Sequence, residues 1–176
     1  MRNNVYFVLH NLDLGLWSGK TIMNIYRLAG IATLGSMAIL IGAFFFEYVL
    51  GYSACKMCIW QRWPHAVAIL IGLIVLTTRI KSLSAFGFLS LITTSVIGFY
   101  HAGVEYKWWE GPSSCSSNIN TEISATDLLN QILNAPITRC DDVVWDLFGI
   151  SMAGYNGILS LILSAIWLII FLNKEK

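Results

Sequence analysis

The stretch Cys55-Lys56-Met57-Cys58-Ile59-Trp60-Gln61-Arg62 separates two long apolar runs and carries two thiols three positions apart. Upstream of it, 26–46 holds no charge after Arg27; downstream, 59–78 is polar only near its entry, at Gln61, Arg62, Pro64 and His65. A helix of about 21 residues at about 1.5 Å each reaches about 32 Å, close to the roughly 30 Å hydrocarbon core of a bilayer. Two more runs of this kind lie at 83–101 and 154–172. The chain is 56% hydrophobic and only 12% charged, with mean hydropathy +0.66. Soluble domains carry about 25% charged residues, so an all-α membrane protein is expected: a four-transmembrane-helix bundle over 26–172. Its 176 residues allow one domain, and a net charge of +1 gives no reason to expect a nucleic-acid partner.

Four spans place both termini on one side. Arg2, Lys20, Arg27, Arg79, Lys81, Lys174 and Lys176 lie on the termini and the 79–82 turn, while the other side has Lys56, Arg62, Lys107, Arg139 and most of the acids. Cytoplasmic loops hold the excess of Lys and Arg. Residues 1–25 are thus expected to be an N-terminal cytoplasmic segment and 173–176 a cytoplasmic tail. The apolar run 5–9 is too short to span, and no signal-peptide cleavage site follows it; Met23 is an alternative start. Loops 47–58 and 103–153 then face outward, and with them Cys55, Cys58, Cys115 and Cys140, on the side where disulfides persist.

Within the long loop, Ser124 to Asp127 reads as a capping box, followed by Leu128, Leu129, Ile132 and Leu133 at helical spacing and ended by Pro136. This predicts a short amphipathic helix, lying on the membrane surface or packed on the loop. Trp108 and Trp109 suit the interfacial aromatic belt.

A Cys-x-x-Cys pair can be a small disulfide, a metal site or a two-electron shuttle. A ring this tight constrains little of the unfolded chain, so stabilisation is a poor reason for it. The spacing of Cys115 and Cys140 is not that of a zinc finger, and no metal site is expected. A helix N-terminus at Cys58 and Arg62 one turn on both favour a thiolate. Cys115, flanked by serines, is exposed to an external thiolate. One pair in a loop and one at the lipid edge suggest a relay that ends on a lipid-soluble acceptor, of which quinones are the obvious class. Arg62 would face a quinone carbonyl, and His101 with Glu105 at i+4 is a candidate proton relay, with His65 a weaker one.

Four spans, Cys-x-x-Cys-Ile-x-x-Arg at 55–62, the short 79–82 turn, the long outer loop with a second cysteine pair, and Trp145-Asp146-Leu147-Phe148-Gly149 before span four together resemble the DsbB family of bacterial inner-membrane oxidoreductases. The resemblance covers about 26–172. It implies that Cys115 is attacked by a periplasmic thioredoxin-fold, DsbA-like partner to give a mixed disulfide, and that Cys140 is its loop mate. It implies that Cys55 and Cys58 form the membrane-edge pair, with Cys58 the thiolate facing the quinone. It makes Arg62 the quinone-linked arginine and ubiquinone or menaquinone the electron acceptor. The family does not require residues 1–25, and the segment between Cys115 and Cys140 could alter partner choice. A specialised relative with one dedicated substrate, an electron donor running the flow outward, a scaffold with structural disulfides and a metal-binding protein are the competing readings.

Overall fold

The computed structural model describes residues 2–112, 126, 129 and 138–173, with the backbone alone for 2–24. Four helices form the bundle: α1 (Arg2–Tyr48), α2 (Lys56–Thr78), α3 (Ser84–Glu105) and α4 (Met152–Leu172). Among the described residues, four stretches are long and apolar enough to cross a membrane: Ile25–Tyr48, Lys56–Thr78, Lys81–Glu105 and Met152–Leu172. This is a four-helix membrane bundle. α1 is continuous from Arg2, so no break in the helix marks off 1–25. Cys115 and most of the expected loop helix lie outside the described residues; Thr126 and Leu129 are helical.

The helix ends follow from local chemistry. α2 starts at Cys55, whose extended backbone and sulfur cap the helix by accepting from the Cys58 N–H at 3.1 Å. It stops at Arg79, which adopts a left-handed conformation (φ 62°) and returns its N–H to Val75 O. The Arg79 guanidinium lies over the Tyr26 ring at 4.1 Å, tying this turn to α1. A 3-10 turn, Lys81–Leu83, leads into α3. Ser151 caps α4 by accepting from the Gly154 N–H.

Pro64 lies inside α2 without ending it. A proline there removes the hydrogen bond to the carbonyl four residues back and crowds that turn. α3 supplies hydroxyls alongside: Thr94 Oγ1 donates to Gln61 O at 2.9 Å and Ser90 Oγ to Pro64 O at 2.9 Å. These hydroxyls sit on carbonyls of the same turn as the proline, in the manner of the Ser and Thr side chains that accompany proline in membrane helices.

The described bundle has its polar residues inside. Ser36, His65, Thr94, Ser95, His101, Ser160 and Ser164 are buried, while Leu34, Ile41, Leu70, Phe86, Val96 and Ile162 are exposed. That inversion is expected where lipid, not water, covers the outside. α3 packs most extensively on α4. The two backbones come close at Gly98 and Gly157, where a Cβ on Gly98 would lie 2.8 Å from the Gly157 backbone nitrogen.

The sequence stretch from Trp145 to Gly149 contributes a small hairpin rather than a simple lead into span four. β1 (Asp146–Leu147) pairs antiparallel with β2 (Ile150–Ser151) across Phe148 (φ 53°) and Gly149 (φ 74°). Two consecutive positive φ values are those of a tight hairpin turn. The hairpin sits directly on the N-terminus of α4 and fixes Trp145 against Phe46 of α1, ring centroids 5.3 Å apart.

Candidate active site

Three cysteines meet at the loop end of the bundle. Cys55 and Cys58 occupy the cap and first turn of α2, with sulfurs 2.6 Å apart. Cys140 is delivered from the long loop and is 1% exposed. Thr138 Oγ1 donates to Ala54 O at 3.3 Å, joining the loop to the segment before Cys55. A second tie follows: Asp141 accepts from Arg139 Nη2 at 2.6 Å and from Lys107 Nζ at 3.0 Å, fastening the loop to the end of α3. The Arg139 hydrogen bond, with help from Lys107, holds the Asp141 carboxyl well below the usual carboxylate range. As a result Cys55 Sγ, Cys140 Sγ and His101 Nε2 all lie within 4.8 Å of one another. The hydrogen bond to Cys58, and then burial, push the Cys55 thiol up. In the reduced pair the proton therefore stays on Cys55.

His101, in the last turns of α3, faces this cluster: Nε2 is 3.5 Å from Cys55 Sγ and 3.9 Å from Glu105 Oε1. Its other nitrogen, Nδ1, is 2.9 Å from Gln61 Nε2. Gln61 Nε2 also donates to Met57 O at 3.3 Å, while Gln61 Oε1 accepts from Asn156 Nδ2 at 2.6 Å. The amide nitrogen therefore faces His101, so Nδ1 accepts, and we assign the imidazole proton to Nε2, which faces both the Cys140 backbone carbonyl and the Cys55 sulfur. The cluster of Cys55, Cys140 and His101 is compact enough for a metal ion. This tautomer opposes one, because a ligating nitrogen must offer a lone pair where His101 carries its proton.

A cavity of about 370 Å³ opens beside the thiols. Cys58, Arg62, His65, His101, Glu105 and Asn156 contribute to its wall, and the rest is mostly apolar, including Ile39, Phe46, Trp145 and Leu159. Arg62 reaches the wall from α2 but does not point freely into the space. It is ion-paired with Glu47, donates to Ala43 O at 3.3 Å and lies over the Phe44 ring at 4.9 Å. A guanidinium so held presents a fixed positive edge rather than a mobile charge.

Of the residues singled out in the sequence, Cys55, Cys58, Cys140, Arg62 and His101 come together here, and Cys115 lies outside the described residues. His101 sits against the sulfur as well as the cavity. Sequence reasoning missed Glu47, which reads only as the end of span one, and Asn156, a lone amide in an apolar run. An intramembrane polar residue is the signal that could have found Asn156.

Residues 26–170 match the protein family described as Disulfide bond formation protein DsbB. The chain is 28% identical over 139 residues to an uncharacterized protein of Rickettsia prowazekii, covering 76% of this chain and 81% of that one. It is 27% identical over 157 residues to Disulfide bond formation protein B of Polaromonas naphthalenivorans, covering 85% and 94%. Disulfide bond formation protein B 2 of Pseudomonas aeruginosa is 28% identical over 130 residues, covering 70% and 76%. No solved structure matches. A family match over most of the chain, on a four-helix bundle with a thiol pair capping one helix, settles the assignment: the chain belongs to the DsbB family of disulfide bond formation proteins.

Proposed function

We propose that this protein reoxidises a periplasmic, DsbA-like thioredoxin-fold dithiol protein and passes the two electrons to ubiquinone or menaquinone. In this reading it lies in the bacterial inner membrane with both termini cytoplasmic and loops 47–58 and 103–153 periplasmic. The observation that carries it is the placing of Cys140 beside Cys55, which itself touches Cys58 on the wall of an apolar cavity.

The exchange runs as follows. A partner thiolate attacks Cys115, breaking the Cys115–Cys140 bond and releasing Cys140 as a thiolate. Cys140 attacks Cys55, breaking the Cys55–Cys58 bond and leaving Cys58 as a thiolate. The partner's second thiol displaces Cys115, which completes the partner's disulfide. Cys115 then attacks Cys140 and releases Cys55. The Cys58 N–H and the His101 Nε2 proton both face the Cys55 sulfur and stabilise its charge as it leaves. Two electrons and two protons have now moved from the partner to the Cys55, Cys58 pair.

The cavity fits a quinone ring: it is mostly apolar, it borders Cys58 and the fixed Arg62 charge, and among the described residues a buried polar atom on its lining, His65 Nδ1, has no hydrogen-bond partner. A bound quinone supplies the sink for the two electrons and two protons. Arg62 would hold a ring oxygen of the quinone by its fixed positive edge, and Glu105 with His101 would be the proton station beside the thiols.

Purified protein, a reduced thioredoxin-fold partner and a quinone followed by absorbance test this. Quinone reduction is expected to require both thiols of 55–58; reduction that persists in Cys55→Ser or Cys58→Ser refutes it.

A further inference from the structure

The buried amides of the bundle form one hydrogen-bonded chain, and a single backbone carbonyl fixes its direction. Met57 O can only accept, so the Gln61 atom 3.3 Å from it is the amide nitrogen. Gln61 Oε1 must then be the atom that accepts from Asn156 Nδ2. Thr94 Oγ1 accepts from the same Nδ2 at 3.3 Å, since its own proton goes to Gln61 O. This leaves Asn156 Oδ1 facing His65 Nε2 at 2.9 Å. An amide oxygen only accepts, so His65 carries its proton on Nε2. Ser160 agrees: its Oγ is 3.2 Å from His65 Nε2, where it accepts, and 3.4 Å from Asn156 Oδ1, to which it donates.

The neutral His65 ring therefore has a bare lone pair on Nδ1. That atom is buried and has no hydrogen-bond partner among the described residues, on a residue that is 2% exposed. A buried acceptor left without a donor is disfavoured. His65 also lines the cavity, on the same face of α2 as Cys58, Gln61 and Arg62. At about 1.5 Å per residue it stands roughly 10 Å further along the helix axis than Cys58.

We propose that His65 Nδ1 is the acceptor for a ring hydroxyl of the reduced quinone in this cavity. The inference rests on the quinone reading of the cavity and adds to it a group that tells the two redox forms apart. A quinone carbonyl brings no proton and gains nothing from a lone pair. A quinol hydroxyl brings the donor that His65 Nδ1 lacks. Arg62, a donor, serves an oxygen that accepts; His65, an acceptor, serves an oxygen that donates. Gln61 and Asn156 act as positioning residues, since they hold the imidazole in the tautomer that accepts.

The test measures binding without turnover. Full-length protein carrying Cys55→Ser and Cys58→Ser is titrated with ubiquinone-1 and, separately, with ubiquinol-1, by calorimetry or tryptophan quenching. His65→Leu is expected to weaken ubiquinol-1 binding by about tenfold, the loss of one hydrogen bond in a dry site, and to leave ubiquinone-1 within about twofold. Asn156→Leu removes the acceptor at Nε2, lets the proton move to Nδ1, and is expected to shift the preference toward ubiquinone-1. A merely structural role for either residue would weaken both ring forms alike. Equal weakening by His65→Leu with no shift by Asn156→Leu overturns the proposal and leaves the quinone reading standing. Absence of saturable binding of either ring form to the protein with His65 intact sinks the quinone reading itself.

Discussion

The two ends of the bundle are built on opposite plans. Toward the chain termini and the Lys81–Leu83 turn, the interior is mainly apolar: Ala29, Ala32, Val75, Leu91, Trp167 and Ile170 pack in one cluster, and the polar groups buried near them are the small hydroxyls of Thr33, Ser84 and Ser164. Toward the loops, the interior is sulfur, imidazole and amide: Cys55, Cys140, Gln61, His65 and His101 are all buried. Both ends sit behind the same lipid-facing skin of leucine, isoleucine and phenylalanine. Apolar packing alone gives helices in lipid little reason to choose one arrangement, because lipid tails compete for the same contacts. A hydrogen-bonded interior accepts far fewer arrangements, since each buried group must find its partner. The apolar end therefore holds the bundle together, and the polar end fixes which atoms meet.

That contrast can be broken in four ways. The largest effect is expected at the thiols: Cys58→Ser abolishes quinone reduction while the helical content stays unchanged by circular dichroism. Next is His101→Leu, which removes the proton facing Cys55. It is expected to slow release of Cys55 about a hundredfold, the scale of a lost acid-base group, read as accumulation of a Cys55–Cys140 disulfide in quenched samples. At the other end, Trp167→Ala is expected to cost about 2 kcal/mol of stability, less than in a water-soluble core because lipid replaces water as competitor. It should leave the rate of thiol exchange within twofold, roughly the noise of such assays, because Trp167 touches none of the sulfur network. A thermal melt in parallel with the exchange assay separates the two.

The smallest effect concerns the loop tie. Asp141 has its native pKa depressed, so its contribution is present above the unfolded value of about 3.9 and is lost as pH falls through the native one. The tie's contribution to exchange from Cys140 to Cys55 is thus expected to be fully present and independent of pH around neutrality, and to be lost only under strong acid. Asp141→Asn should slow exchange about threefold at neutral pH, as suits a half-exposed charge network, measured by stopped alkylation.

The sequence made the apolar end legible and the polar end only in part. Spans were visible because about 20 apolar residues in a row have few other uses. The structure moves their ends by a few residues for local reasons. Cys55 caps α2 and draws 56–58 into the helix, and α3 runs one turn further to include Glu105. The Cys-x-x-Cys motif and Arg62 were also visible, because their chemistry is carried by residue type and spacing. What stayed hidden was pairing across the bundle. Glu47 meets Arg62, Asn156 meets Gln61 and His65, and Cys140 meets Cys55, each over a separation that no local periodicity encodes. The hairpin at Asp146–Ser151 was hidden for a different reason: two residues per strand are too few for alternation to register.

The nearness of Cys140 to Cys55 is the claim on which the electron path stands. Full-length protein with Cys58→Ser and Cys115→Ser leaves those two thiols alone, and mild oxidation followed by peptide mass mapping reads whether they join. Near-complete Cys55–Cys140 disulfide within the monomer is expected. If both cysteines instead remain open to alkylation after oxidation, while the helices stay folded, the two pairs do not communicate and the proposed path is wrong.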